Sequence, residues 1–116
     1  MTEQTKTKTP TFESLTEKVV DWGKERGIVK YENRNQQMLK CVSEIGELAD
    51  ALIKYKPTEG ELHYNEEIED AMGDTLVTLI LLGEDLGLDL VKSLDVAYGI
   101  IKNRTGKNVN GVFVKD

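Results

Sequence analysis

The segments Glu44-Ile-Gly-Glu47-Leu-Ala-Asp50-Ala-Leu52 and Glu66-Glu67-Ile-Glu69-Asp70-Ala-Met-Gly-Asp74-Thr-Leu-Val77, inside the longer stretch Cys41 to Leu82, decide how this chain is read. Each spaces acids three or four residues apart, which stacks their side chains on one face of a helix. At about 100° of rotation per residue, Glu44 and Glu47 fall at the edge of an apolar arc. That arc is built from Leu48, Cys41, Leu52, Ile45, Met38, Ala49 and Val42, so the two acids are expected to border the core. Glu67, Asp70 and Asp74 form one stripe that continues into Val77 and Leu81, so its apolar end is expected inside and its acids at the mouth of a helix bundle. Carboxylates gathered beside a core repel one another unless a positive charge neutralises them. An all-oxygen set suits Mg²⁺ or Mn²⁺, and Mg²⁺ commonly shares its shell with waters and substrate phosphates. The spacing is equally that of solvated faces on ordinary acidic helices.

The 116 residues suit one domain with a single core. A formal net charge of -6 argues against a nucleic-acid polymer as partner, because phosphate backbones reward an excess of Lys and Arg. The single cysteine, Cys41, lies on an apolar helical face and reads as a small buried hydrophobe in a reducing compartment. The apolar run Leu76 to Leu82 is too short to span a bilayer, and no leader-like run follows Met1. The expectation is a cytoplasmic protein with no membrane partner. A second histidine and a serine in a Gly-flanked turn are both missing, so no nucleophilic triad is available. The glycines are scattered singly, so phosphate binding would run through metal rather than a Gly-rich loop.

Residues 1–10 read as a flexible lead, and 11–116 as a single all-α domain of four helices. Thr11 is placed to cap the first helix, which carries Phe12, Leu15, Val19 and Trp22 and ends near Gly27. Trp22 reads as core rather than as a base-stacking ring. Asn33 or Asn35 is expected to cap the second helix, which runs to about Tyr55. Lys40, four residues before Glu44, reads first as its charge partner and second as a phosphate contact. Pro57 and Gly60 mark a turn, and His63 reads as an exposed histidine without a special role. The third helix is expected over about Glu61 to Asp85. Its second half is apolar nearly all round, which implies burial on every side and hence a subunit interface, most simply a two-fold dimer. Asp89 is placed to cap a fourth helix with Leu90, Leu94, Ala97, Tyr98 and Ile101 along one side, ending in the basic cluster Lys102, Arg104 and Lys107. Val112-Phe113-Val114 reads as a short extended piece.

In the order of these features the chain resembles the MazG-like all-α nucleotide pyrophosphohydrolases, a superfamily that includes dimeric dUTPases, dCTP pyrophosphatases and phosphoribosyl-ATP pyrophosphohydrolases. The signature is Glu-x-x-Glu on one helix and Glu-x-x-Asp on the next. Glu44-Ile-Gly-Glu47 and the following Leu-Ala-Asp-Ala-Leu match the first half. Gly73-Asp74 leading into Thr-Leu-Val-Thr-Leu-Ile matches in the second, as does the Leu86-Gly-Leu-Asp-Leu90 turn. The ending Ile100-Ile-Lys-Asn-Arg-Thr-Gly-Lys and Gly111-Val-Phe-Val-Lys is similar to the small, often phage-borne branch; a phage-encoded chain would act in the host cytoplasm. If Asp74 is the signature aspartate, Ala71 stands where the signature has glutamate; the alternative reads Glu67-x-x-Asp70 as the motif. Ser43 stands where many members carry a further glutamate.

The resemblance implies a four-helix bundle oligomerising through its central helices, as a dimer or a dimer of dimers. It implies hydrolysis of a nucleoside triphosphate, a dNTP or a non-canonical NTP, to the monophosphate and pyrophosphate. Glu44, Glu47, Asp70 and Asp74 would hold Mg²⁺, with Mn²⁺ as a substitute, and Glu47 or Glu67 would act as general base. Lys40, Lys54, Lys102 and Arg104 are the candidate phosphate contacts, with Lys54 reaching from a partner chain. Trp22, Tyr31, Gln36 and Gln37 are the candidates to line a base. The lean acidic set around Ala71 and Ser43 also supports a different class of protein, a metal- and nucleotide-binding helical oligomerisation module with weakened turnover.

Overall fold

The computed structural model describes residues 9–56 and 65–116. The expectations for Met1 to Lys8, for the Pro57–Gly60 turn and for His63 lie outside the described residues. Four helices and a two-stranded hairpin make up the described chain: α1 Phe12–Glu25, α2 Arg34–Lys54, α3 Glu66–Asp85, α4 Leu90–Ile101, β1 Gly106–Val109 and β2 Val112–Lys115.

Helix α1 begins where the sequence predicts, with a reciprocal capping box in which Thr11 Oγ1 accepts from Ser14 N–H and Ser14 Oγ accepts from Thr11 N–H, both at 3.0 Å. It stops because Gly27 takes a φ of 71°, which lets Gly27 and Ile28 donate back to Lys24 O at 3.0 Å and Gly23 O at 3.2 Å. A 3₁₀ turn, Tyr31–Asn33, then leads into α2. Asn33 precedes α2 as expected, but its side chain does not cap the helix: Nδ2 donates to Ile28 O at 3.2 Å and ties the connection back on itself. Helix α3 starts at Glu66 rather than near Glu61. Asn65 is extended there, and its Oδ1 accepts from Glu67 N–H and Ile68 N–H at 2.9 and 3.2 Å. Asp89 caps α4 in the same manner through Val91 and Lys92.

Helix α3 is the central element, packed against α2, α1 and the 3₁₀ turn. Its register with α2 is antiparallel: Gln37 Nε2 donates to Thr78 O at 3.3 Å near one end, while Glu47 and Asp50 face Glu67 and Asp70 near the other. The seam between them buries Cys41 and Glu44 on one side and Ala71, Thr75 and Thr78 on the other. Small residues on α3 let the helices approach. The threonine hydroxyls satisfy themselves on the preceding turn, donating to Ala71 O and Thr75 O at 2.8 Å. Helix α1 meets α3 at Gly23, where an added Cβ would come within 2.6 Å of Leu81 Cδ2 and 2.9 Å of Val29 Cγ2.

One expectation about burial is reversed within the single chain. The middle of the apolar arc on α2 is not the core: Met38, Val42, Ile45 and Leu52 are exposed, and α3 packs on the Cys41–Glu44 edge instead. In the second half of α3, Ile80 and Leu81 are inside while Leu76 and Leu79 are left exposed by the single chain. The end of the chain also differs from its reading. Helix α4 ends at Ile101 with Lys102 as its cap, and Lys107 lies in β1. The extended piece at Val112 to Val114 is one strand of an antiparallel hairpin turned by Asn110 and Gly111, whose φ values of 53° and 87° match a type I′ turn. Among the described residues no helix is long and apolar enough to cross a membrane.

Candidate metal and phosphate site

The antiparallel register of α2 and α3 brings the two acidic segments together. Glu47, Asp50, Ala51, Glu67, Asp70, Ala71 and Asp74 line one open cavity of about 280 Å³. Five carboxylates thus surround a floor of two alanines. On α2 the wall residues Glu47, Asp50 and Ala51 share one helical face, as do Glu67, Asp70, Ala71 and Asp74 on α3. Ala71 also lines the cavity and is about 8% exposed. Asp50 was not among the expected residues. The signal for it was present, since Asp50 follows Glu47 by the same three-residue step as Glu47 follows Glu44.

Glu44 is separate from this wall. It is buried in the α2–α3 seam, about 7% exposed, and Lys40 Nζ lies 2.9 Å from its Oε1. That hydrogen bond, with the charge of Glu44 behind it and the carboxylates of Glu47 and Asp74 adding, raises the Lys40 pKa above its ordinary value. Lys54 is the counterpart at the other end, 2.9 Å from Asp50 Oδ2. Its pKa is likewise raised, first by the hydrogen bond to Asp50 and its charge, with Glu67 contributing. A lysine therefore stands at each end of the acidic patch. Lys102 and Arg104 do not line the cavity; they follow α4 at its junction with the hairpin.

A second opening of about 460 Å³, largely apolar, adjoins the first by sharing Asp74 and is lined by Leu15, Lys18, Val19, Trp22 and Val77. Trp22 is about 43% exposed, not core as expected. Helix α1 presses Gly23 rather than Trp22 against α3, which leaves the indole on the rim under the Arg26 guanidinium, 4.4 Å from the ring centroid. Of the other candidates for lining a base, Gln37 is engaged with Thr78 O. Tyr31 is exposed with Arg34 over its ring at 4.0 Å, and Gln36 is exposed.

The donors around the acidic cavity are oxygens, the chemistry that suits Mg²⁺ or Mn²⁺. Among the described residues no three of His, Cys, Asp and Glu close around a common ion position. The carboxylates form an open acidic wall.

No family model matches the chain. It is similar to the "Uncharacterized 18.2 kDa protein in rep-hol intergenic region" of Haemophilus phage HP1 (strain HP1c1), with 27% identity over 80 residues. The match covers 69% of this chain and 44% of that protein, so the chain spans less than half the length of its phage relative.

Proposed function

We propose that this protein is a Mg²⁺-dependent nucleoside triphosphate pyrophosphohydrolase that acts on dNTPs or non-canonical NTPs and so controls the nucleotide pool. The observation that carries this reading is the open cavity walled by Glu47, Asp50, Glu67, Asp70 and Asp74, with an apolar opening beside Trp22 that shares Asp74. The juxtaposition suits a ligand with an anionic, metal-neutralised end and a flat apolar end. Glu47, Asp70 and Asp74 are the residues that would hold the ion. When bound, it supplies neutralisation of the phosphate oxygens and of the charge growing on the leaving pyrophosphate.

The chain's own groups do the rest. Glu67, or Glu47 where its Oε is not committed to the ion, accepts the proton of the attacking water. The water oxygen bonds to the α-phosphorus as the bond from that phosphorus to the α,β-bridging oxygen breaks, and pyrophosphate leaves. Lys54 at one rim and Lys18 beside Asp74 are placed for phosphate oxygens. The base rests on Trp22, Leu15, Val19 and Val77, and Trp22 contributes its ring face.

The working form is a homo-oligomer, a dimer or a dimer of dimers. Met38, Val42 and Ile45 form an exposed stripe on α2, and Met72, Leu76 and Leu79 form another on α3. Stripes of this extent are what a second copy would cover.

The second reading, a nucleotide-binding module with weakened turnover, is favoured by Ala71 on the cavity wall. The test is pyrophosphate release from a panel of canonical and modified NTPs with Mg²⁺, Mn²⁺ or EDTA. Metal-dependent release that Glu47→Ala abolishes supports the enzyme. Thermal stabilisation by Mg²⁺ and nucleotide together without release supports the binding module instead, and neither response removes both.

A further inference from the structure

We propose that the arm formed by α4 and the hairpin is an interface between two copies of this chain, paired antiparallel so that each hairpin seats on the foot of the other copy's α4. This surface is separate from the acidic cavity and from the α2 and α3 stripes, and its assignment does not depend on the enzymatic reading. Of the described elements, α1 packs against α4 and none packs closely against the hairpin. Every residue from Lys92 to Asp116 is exposed in the single chain, including Leu94, Tyr98 and Ile101 along one side of α4. The hairpin register puts Val109, Val112 and Val114 on one face beside Lys107, because paired residues share a face and alternate residues return to it. Phe113 is on the other face, over Gly106, where an added Cβ would come within 2.6 Å of the ring. A two-stranded hairpin standing alone is marginal in water, and so is a helix of about 12 residues. An arm made of both needs a cover.

The distribution of charge selects that cover. In a chain of net charge -6, the arm carries Lys92, Lys102, Arg104, Lys107 and Lys115 against Asp95 and Asp116, and all of its bases except Lys92 lie at the tip. At the foot of α4 the sign is opposite. A groove of about 510 Å³ opens there, lined by the apolar Ile80 and Leu90 and by the carboxylates of Glu13, Glu17, Asp21 and Glu84. Lys24 stands against these acids and is engaged with Glu84 at 3.6 Å. Acids at the foot and bases at the tip make the arm complementary to itself in one orientation. Antiparallel pairing about a two-fold axis sets each tip on the other copy's foot and meets opposite charge twice, whereas parallel pairing sets like on like. The lengths agree with this. The helix spans about 18 Å at its usual rise, and Gly106 follows Ile101 by five residues, so each hairpin lies past the first turn of the other copy's α4, where the groove opens. The apolar sides of the two α4 helices then cover each other, and the valine face covers the apolar lining of the groove.

The experiment is sedimentation equilibrium of the full chain at low ionic strength. It compares the wild type with Tyr98→Glu, with a tip reversal carrying Arg104→Glu and Lys107→Glu, and with a foot reversal carrying Glu17→Lys and Asp21→Lys. All five positions are exposed in the single chain, so each variant should keep the circular dichroism of the wild type. Tyr98→Glu should halve the mass of the wild-type assembly. Each charge reversal should raise the dissociation constant roughly ten-fold, and a chain carrying both reversals should return to within about three-fold of the wild type, because the exchanged charges meet again. A wild type that sediments as a monomer overturns the proposal and gives the arm to a different partner. An unchanged mass for Tyr98→Glu overturns it by placing the interface elsewhere. Tip and foot reversals that weaken association further when combined overturn the antiparallel pairing.

Discussion

The surroundings of Asp85 oppose its charge. It is the last residue of α3 and about 4% exposed. Its Oδ1 accepts from Lys30 N–H at 2.9 Å, while Oδ2 is buried with no hydrogen-bond partner among the described residues. Burial raises its pKa above the usual carboxylate value, the Lys30 bond lowers it in part and Glu84 adds to the rise. A carboxyl that binds its proton more tightly in the folded state adds stability below its unfolded pKa, about 4, and that contribution is lost as pH rises through the folded value. Asp85 should therefore favour the fold under acid conditions and disfavour it at neutral pH. Asp85→Asn keeps an acceptor for Lys30 and removes the charge, so it should raise stability at pH 7 by about 1 kcal/mol. Asp85→Ala also deprives Lys30 N–H of its acceptor and should fall below Asp85→Asn. Urea unfolding at pH 7 and at pH 5 checks both, with the advantage of Asn shrinking at the lower pH. The acidic cavity behaves differently because its carboxylates are exposed. Asp74→Ala should abolish the proposed turnover while leaving the fold intact or slightly more stable, since it relieves repulsion from Asp70 and Glu67; an unfolded variant by circular dichroism would make Asp74 structural instead.

Among the elements, α1 is held against α3 by a close approach of its backbone. At Gly23 a methyl group meets Leu81 and Val29, and Leu81 is itself about 4% exposed with little room to move. Overpacking of this kind costs about 1–3 kcal/mol. It outweighs the gain of up to about 1 kcal/mol that alanine brings to a helix interior. Gly23→Ala should therefore lower the urea midpoint. Gly46→Ala, in the middle of α2 with nothing within 4 Å of the added carbon, should raise it. The opposite signs separate packing from helix propensity. Loosening α1 would also open the cavity beside Trp22, so Gly23→Ala should weaken nucleotide binding more than Gly46→Ala does.

For the whole molecule, the main consequence of the fold is how much apolar surface the single chain leaves uncovered. Among the described residues Cys41, Ala71, Ile80 and Leu81 are the buried apolar ones, while Leu94, Tyr98 and Ile100 of α4 and Val112 and Phe113 of the hairpin are exposed. Leu79→Asp changes a residue about 36% exposed in the single chain, so the helical content of the monomer should persist while the proposed oligomer should dissociate. Sedimentation velocity beside far-ultraviolet circular dichroism reads the two effects separately. A variant that sediments as the wild type does would move the interface away from the Met72, Leu76 and Leu79 stripe.

Helix identity and position were legible in the residues themselves, because caps and glycines act locally. Thr11, Asp89 and Gly27 each do what their place in the pattern implies. The same local logic was available at Asn65 and at Asn110-Gly111, where an Asx cap and a hairpin turn formed instead of a longer helix and a lone extended piece. The acidic faces of α2 and α3 were legible from three- and four-residue spacing. Periodicity does not say which edge of an apolar arc a neighbouring helix will choose. Small residues on α3 drew the Cys41–Glu44 edge of α2 inward and left Met38, Val42 and Ile45 outside. That choice took Glu44 from the cavity wall to the helix seam, where it is buried and pairs with the exposed Lys40, and brought Asp50 onto the wall. Which carboxylates meet depends on the register and packing edge of two helices, and those are settled only when side-chain volumes on both helices are matched in three dimensions.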